Sequence, residues 1–317
     1  MLWLLTIMHQ HWAKPDPLVA AAGPRARDGL LALLDWDAQQ IIWAVGMDSP
    51  TGLCFRGDEL FVASMCGHEV RVFDKNLVNT RAYRHPLFND LHTVRPTPDG
   101  VIVTTSGTDA IVELSPEGHL VWSWFATEHG FDRTPAGKRH VVDRRFDYSV
   151  LSQETNMQTT HVNSAERQGN EVRATLFAQG LLISIDRRTG SWELLTSGLD
   201  RPHSIRPAGS GQWTCCDSRA NAVVLVNESG TIQQVIEHDF DWVQDAVRIG
   251  QSVYVLDANN MRVVQCDQRH IQNVVAYMST AKGFGLELVP HDWRHIRDMT
   301  SAEVAHGFGR YQMNGSA

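Results

Sequence analysis

Four residues carry the main chemical signal of this chain. His92, His161, His203 and Asp245 each open a stretch of similar layout, at recurring spacing. Three imidazoles brought together present three neutral nitrogens and leave one coordination position open, which suits a catalytic divalent metal such as zinc or ferrous iron. A carboxylate beside them serves as a fourth ligand or moves a proton. The same histidines without a metal can act as nucleophile or general base. Asn163 lies two residues after His161 and points to the same side of a strand; Gln244 precedes Asp245 and lines the same space. Asp90 is placed to orient His92 from behind. His9 and His11 are more distant candidates for the same mouth. Among the basic residues, Arg145, with Arg133, Arg139 and Arg144, can clamp an anionic group; a solvated surface is the plainer reading for all four.

The elements that position these residues form a repeat. The layout is a short apolar stretch, a Gly turn and further short strands. His92-Thr93-Val94-Arg95-Pro96 leads to Asp99-Gly100, and His203-Ser204-Ile205-Arg206-Pro207 leads to Gly211. Asp245-Ala246-Val247-Arg248 leads to Gly250, Gly52-Leu53-Cys54-Phe55-Arg56 to Gly57, and His161-Val162-Asn163 to Gly169. The starts at 52, 92, 161, 203 and 245 are separated by 40, 69, 42 and 42 residues. The long step is one period plus about 28 residues. Runs such as Val101-Ile102-Val103-Thr104-Thr105 and Ala222-Val223-Val224-Leu225-Val226 are β-type, and each period holds about four strands. Four strands per period of roughly 40 to 50 residues describe a β-propeller blade. In such a fold the innermost strands begin around one channel mouth, so the start positions converge there.

The ends of the chain complete the ring. Phe284 to Val289 is a first strand with no blade behind it. Trp3 to Met8, Gly29 to Asp35 and Gln40 to Val45 are strands with no first strand before them. Closure by the C-terminal strand gives an all-β, six-bladed propeller, a single domain over 1–317, with five or seven blades as the alternatives. Residues 9 to 26 form a loop within the first blade. Residues 127 to 159, polar and rich in both charges, are expected to form a lid over the mouth. Residues 291 to 317 read as an irregular tail with a helix after Thr300. Arg95, Arg206 and Arg248 lie three residues after their starts, an offset that faces them away from the start residue in a regularly alternating strand and suggests roles between blades. Asp217 and Asp257 read as turn caps, and Trp122, Trp124, Trp192 and Trp213 as packing between blades.

Composition narrows the function classes. The chain has 317 residues, 43% of them hydrophobic, which is ample for a large core. Lys and Arg number 28 against 36 Asp and Glu, a net charge of −8, with no basic run, so a nucleic-acid or anionic-membrane surface is not expected. No apolar run approaches the ~20 residues of a membrane helix, and the N-terminal stretch lacks the basic start and cleavage site of a signal peptide. Five scattered cysteines without metal or redox spacing fit a reducing cytoplasm.

The segment from Asp90-Leu91-His92 through Asp99-Gly100 to Glu113-Leu114-Ser115-Pro116-Glu117-Gly118 and Trp122-Ser123-Trp124 resembles a blade of the arylsulfotransferase-like, NHL-type propellers. There a His precedes a P-x-G turn, and the blade closes with E-x-x-P-x-G-x-x-x-W-x-W. The resemblance covers about 35 residues. It implies a propeller, and by position His92, His161 and His203 would correspond to residues that handle a sulfuryl group. The organisation is also similar to the peptidyl-α-hydroxyglycine amidating lyases, six-bladed propellers with a three-histidine zinc site. The combined expectation is a small-molecule enzyme of lyase or hydrolase type with a three-histidine metal site. A ferrous oxygenase fits the same ligands. Metal-free sulfotransferase-like transfer through a histidine nucleophile and a non-catalytic interaction scaffold are the alternatives.

Overall fold

A computed structural model describes residues 1–8, 29–151, 155–277 and 282–306. Among the described residues, twenty-four antiparallel strands form six four-stranded blades. The first blade is β24 (Lys282–Leu288), β1 (Leu2–Met8), β2 (Gly29–Asp35) and β3 (Gln40–Gly46), from the channel outward. The second is β4 (Pro50–Arg56), β5 (Glu59–Ser64), β6 (Glu69–Phe73) and β7 (Asn79–Arg84). The third is β8 (Leu91–Thr97), β9 (Gly100–Thr105), β10 (Ala110–Leu114) and β11 (Leu120–Phe125). The fourth is β12 (Val162–Gln168), β13 (Glu171–Leu176), β14 (Leu181–Asp186) and β15 (Trp192–Thr196). The fifth is β16 (Pro202–Gly209), β17 (Gln212–Asp217), β18 (Ala222–Asn227) and β19 (Ile232–Glu237). The sixth is β20 (Val243–Ile249), β21 (Ser252–Asp257), β22 (Arg262–Cys266) and β23 (Ile271–Ala276).

The ring closes as the sequence implies. β24 pairs with β1, Trp3 opposite Leu288 and Leu5 opposite Leu286, so the chain's last strand completes its first blade. Second strands such as β9 are buried throughout, whereas outer strands such as β19 are exposed along most of their length. Apolar side chains therefore pack between neighbouring sheets. Leu4, Leu31, Leu33, Trp43 and Val45 of the first blade meet Leu53, Leu60, Val62 and Phe73 of the second. The tail beyond β24 joins this cluster through Val289, Trp293, Ile296 and Val304. A 3-10 helix over His291–Asp298 buries Trp293 and Ile296, and Trp293 donates to the Gly57 carbonyl. The expected helix follows Thr300, whose hydroxyl caps Glu303 N–H while Glu303 accepts from Thr300 N–H, a reciprocal capping box. The expected loop at 9–26 and the tail beyond 306 lie outside the described residues. No described helix is long and apolar enough to cross a membrane.

The sheets revise the alignment of the repeat. In each of five blades the first residue of the inner strand pairs with the last residue of the second: Pro50–Ser64, Leu91–Thr105, Val162–Leu176, Pro202–Asp217 and Val243–Asp257. The equivalents of His92 and His203 are therefore Thr51, Asn163 and Gln244. His161, Gly52 and Asp245 sit at other levels. The residue before each inner strand has a positive φ: Ser49, Asp90, His161, Arg201 and Trp242. These are spaced 41, 71, 40 and 41 apart, a tighter repeat than the one visible in the sequence. Each inner strand then carries a ladder irregularity within its first few residues. A bulge breaks the two-residue alternation, so residues on both sides of it can face the channel. Gly285 and Gly52 mark how closely the inner strands approach. A Cβ on Gly52 would lie 2.5 Å from Thr93 Cα, and one on Gly285 2.8 Å from the Thr51 carbonyl oxygen.

Candidate active site at the channel mouth

Two of the histidines, in the third and fifth blades, are held by the same device. His92 Nδ1 lies 3.1 Å from the Asp90 carbonyl oxygen and 3.0 Å from Ser106 Oγ. The Ser106 hydroxyl donates its one proton to the Val162 carbonyl at 2.7 Å. Nδ1 thus faces two acceptors and carries the proton itself. His203 Nδ1 faces the Arg201 carbonyl at 3.0 Å and Ser218 Oγ at 2.7 Å, and Ser218 donates to the Val243 carbonyl. His161 reaches the same state by another route. Its Nδ1 meets Gln158 Oε1, and the Gln158 amide is oriented by Nε2 donating to Asp90 Oδ2 at 2.7 Å. In all three rings the neutral tautomer bears its proton on Nδ1. Nε2 keeps its lone pair and makes no hydrogen bond among the described residues.

Asp90 stands behind two of these rings. Its carboxylate oxygens lie 3.8 Å from His92 Nδ1 and 3.9 Å from His161 Nδ1. Asp90, His92 and His161 offer donor atoms within 4.8 Å of one another. The His92 and His161 rings are nearly perpendicular, with centroids 4.5 Å apart. His203 is not in that group. Phe177 stands between it and His161, its centroid 4.9 Å from His161 and 5.3 Å from His203. Asp109 fixes the backbone around His161: its buried carboxylate accepts from the N–H groups of Thr159, Thr160 and His161 and from the Thr160 hydroxyl. Burial, with the neighbouring imidazoles His92 and His203, drives His161 well below the usual histidine range. Burial chiefly drives His203 down to about 3. Both rings are neutral at physiological pH, the state in which imidazole binds a metal.

The inserted segment after β11 packs against the third blade and ends at the site. Asn89 donates to the carbonyls of Tyr148 and Leu151, and Tyr148 is buried in the core between the second and third blades. Gln158, at the end of the segment, supplies the partner of His161. The arginines of the segment are tied up locally. Arg133 donates to the Gly137 carbonyl, Arg139 to Asp132 and Arg144 to Glu128. Arg145 is exposed and forks onto Asp143, so the structure does not bring it to the histidines.

Below the mouth the channel narrows to a small cavity with room for about one water. His92, Asn163, His203 and Gln244 line it at one level, and Thr93, Ser204 and Asp245 just beneath. Asn163 and Gln244 are therefore channel residues, as their positions suggested. Asp245 is not a free base. It accepts from Arg206 Nε at 2.9 Å and Nη2 at 2.6 Å, from Ser204 Oγ at 2.5 Å and from Leu286 N–H at 3.0 Å. Despite burial, Arg206 holds its carboxyl down at about 2. Arg206 also donates to Glu287 and the Leu286 carbonyl, so this cluster joins the fifth blade, the sixth and the closing strand.

The arginines depart from the expected geometry. Arg95 lines the same cavity as His92, three residues away, because of the bulge between Leu91 and Val94. Arg248 is one residue out of step with Arg95 and Arg206 and binds Gln212 and the Gly250 carbonyl. Asp217 and Asp257 cap turns at Asp200 and Asp241, as their positions imply. Trp122 and Trp124 donate to carbonyls of Arg187 and Gly190 in the next blade. His9 and His11 lie outside the described residues. The sequence reading missed Ser106, Ser218, Gln158 and Asp109. A trace of the serines was there: each lies 14 or 15 residues after its histidine, just past the second strand.

Fold and site together define a six-bladed β-propeller with histidines gathered at one end of its channel. No protein-family model matches the chain, and no curated protein matches it. Solved structures match in fold. One is a protein of unknown function from Bacteroides caccae, 12% identical, covering 90% of this chain and 98% of that one, with a TM-score of 0.58. A chain of a nidogen/laminin complex, also 12% identical, covers 90% and 98% with a TM-score of 0.61. Virginiamycin B lyase from Staphylococcus aureus, in a catalytically inactive histidine-to-alanine variant with quinupristin, is 10% identical over 80% and 79%, with a TM-score of 0.55.

Proposed function

We propose that the protein is an enzyme acting on a small molecule at the channel mouth, by metal-assisted lyase or hydrolase chemistry. The observation that carries this reading is the shared state of three imidazoles. In His92, His161 and His203 the Nδ1 proton is directed into fixed acceptors, and Nε2 is left with an uncommitted lone pair. Metal-binding histidines are held this way, their second nitrogen donating to a carbonyl, hydroxyl or carboxylate that fixes tautomer and orientation. His92 and His161 would hold the ion, with Asp90 as the carboxylate behind both, and His203 would face the substrate from beyond Phe177 in the next blade. A divalent ion held there would supply polarisation of a substrate oxygen or a hydroxide near neutral pH. Asn163 and Gln244 supply amides to orient the substrate. The likeness to a lyase propeller supports lyase chemistry by analogy of fold.

The test is the metal content of purified protein after supplementation with zinc or, anaerobically, ferrous iron, beside His161→Ala. About one equivalent, lost in the variant and removed by chelator together with activity on a panel of small esters, lactones and hydroxy acids, is the expected result. Protein that takes up no metal overturns the metal and leaves a histidine nucleophile or base. Histidine variants that behave as wild type in every assay would leave an interaction scaffold.

A further inference from the structure

We propose that the throat beneath the histidines is a carboxylate subsite, so that the substrate of the site proposed above carries a carboxylate that enters the channel and meets Arg95. The inference rests on a buried guanidinium that is only partly answered. Arg95 is 3% exposed and lines the cavity that His92 and His203 roof. Its Nη1 donates to the Leu53 carbonyl, but its Nε–H is buried without any hydrogen-bond partner. A buried donor left unmade is costly and uncommon, and more so on a charged group. The nearest carboxylate, Glu166, approaches Arg95 Nε only to 3.6 Å. Burial pushes the Glu166 carboxyl up to about 7 against the pull of Arg95 and Arg206, so its charge answers Arg95 only in part. The contrast with Arg206 is direct. That guanidinium occupies the equivalent place two blades on and is answered by both Asp245 and Glu287.

The cavity also sets the size of the guest. Its free space takes about one water-sized atom, so a carboxylate would enter it by one oxygen and a ring is excluded. Asn163, at the level of the histidines, has a buried side-chain oxygen without a partner and an amide N–H whose one bond is a long 3.4 Å contact to the Pro202 carbonyl. That N–H can turn to a carboxylate oxygen. A carboxylate on Arg95 would place the atoms attached to it between His92 and His203.

The test uses metal-stripped protein, so that carboxylate held by a metal does not enter. Formate and acetate are titrated against chloride at constant ionic strength, with binding read from thermal stability and from line broadening of labelled formate. The expected result is saturable binding by wild type and by Arg145→Gln, at least ten-fold weaker in Arg95→Gln. Glu166→Gln removes the competing carboxylate and is expected to bind several-fold tighter, which tests the inference even if Arg95→Gln does not fold. Absence of binding in wild type, undiminished binding in Arg95→Gln, or unchanged binding in Glu166→Gln overturns it. Carboxylate binding without metal uptake would defeat the metal reading alone, and metal uptake without carboxylate binding would defeat this inference alone.

Discussion

Two polar clusters line one channel and differ in whether their groups are already answered. At the mouth, His92, His161 and His203 each use one nitrogen for support and leave the other open. A few residues deeper, Arg206, Asp245 and Glu287 satisfy one another and the backbone of the closing strand. Both are buried and built from the inner strands. The difference teaches that burial of a polar group does not mark function; an uncommitted lone pair or N–H does. The deep cluster ties the fifth and sixth blades to β24 and is a structural clasp, although Asp245 has the residue type of a catalytic base.

The sharpest way to break this comparison is Asp245→Ala. It leaves the Arg206 guanidinium buried with half its partners gone, and a loss of about 3–5 kcal/mol in unfolding free energy is expected from chemical denaturation. A variant as stable as wild type would erase the distinction. Next in size is the opposite cluster. His161→Ala is expected to weaken zinc binding by at least about 100-fold, read by chelator competition, at a stability cost well below that of Asp245→Ala.

A smaller effect appears in pH dependence. His161 and His203 titrate below their unfolded value of 6.5, so the unfolded chain takes up protons first and stability falls as pH drops below 6.5. Each contributes a slope of about 1.4 kcal/mol per pH unit at most. Glu166 runs the other way. Its carboxyl is raised from 4.5 to about 7, so it is protonated in the fold and ionised in the unfolded chain between those values. That opposes the histidines as pH falls from 7 to 4.5. Glu166→Gln is therefore expected to steepen the acid loss between pH 6.5 and 4.5, and His203→Gln to flatten it. Smallest is Ser106→Ala, which leaves His92 Nδ1 only the Asp90 carbonyl; metal affinity is expected to drop about ten-fold with the fold intact.

Much of the fold was legible because a propeller repeats itself. The Gly turns and β-type runs favoured six blades, and unpaired strands at the two ends, Trp3 to Met8 and Phe284 onward, could only complete each other. The site was legible in its members more than in its geometry. His92 and His203 do share a level, but His161 does not; it occupies the left-handed position before β12, where Asp90 and Arg201 stand in the neighbouring blades. It still reaches His92 because that residue projects at the mouth. The tail was under-read: Trp293 and Ile296 belong to the core between the first two blades.

The sequence by itself determined the propeller, its closure and the histidines, and favoured six blades, since these follow from periodic patterns of residue type along the chain. Only the tertiary structure decided the role of each polar group. A bulge of one residue shifts which side chains face the channel, and it brings Arg95 into the cavity with His92. Partners distant in sequence then decide what remains open. Asp245 meets Arg206, 39 residues away, and is closed, whereas Gln158 and Asp90, 68 residues apart, join to leave His161 Nε2 free. Hydrogen-bond satisfaction is a property of neighbours in space, and spacing along the chain does not contain it.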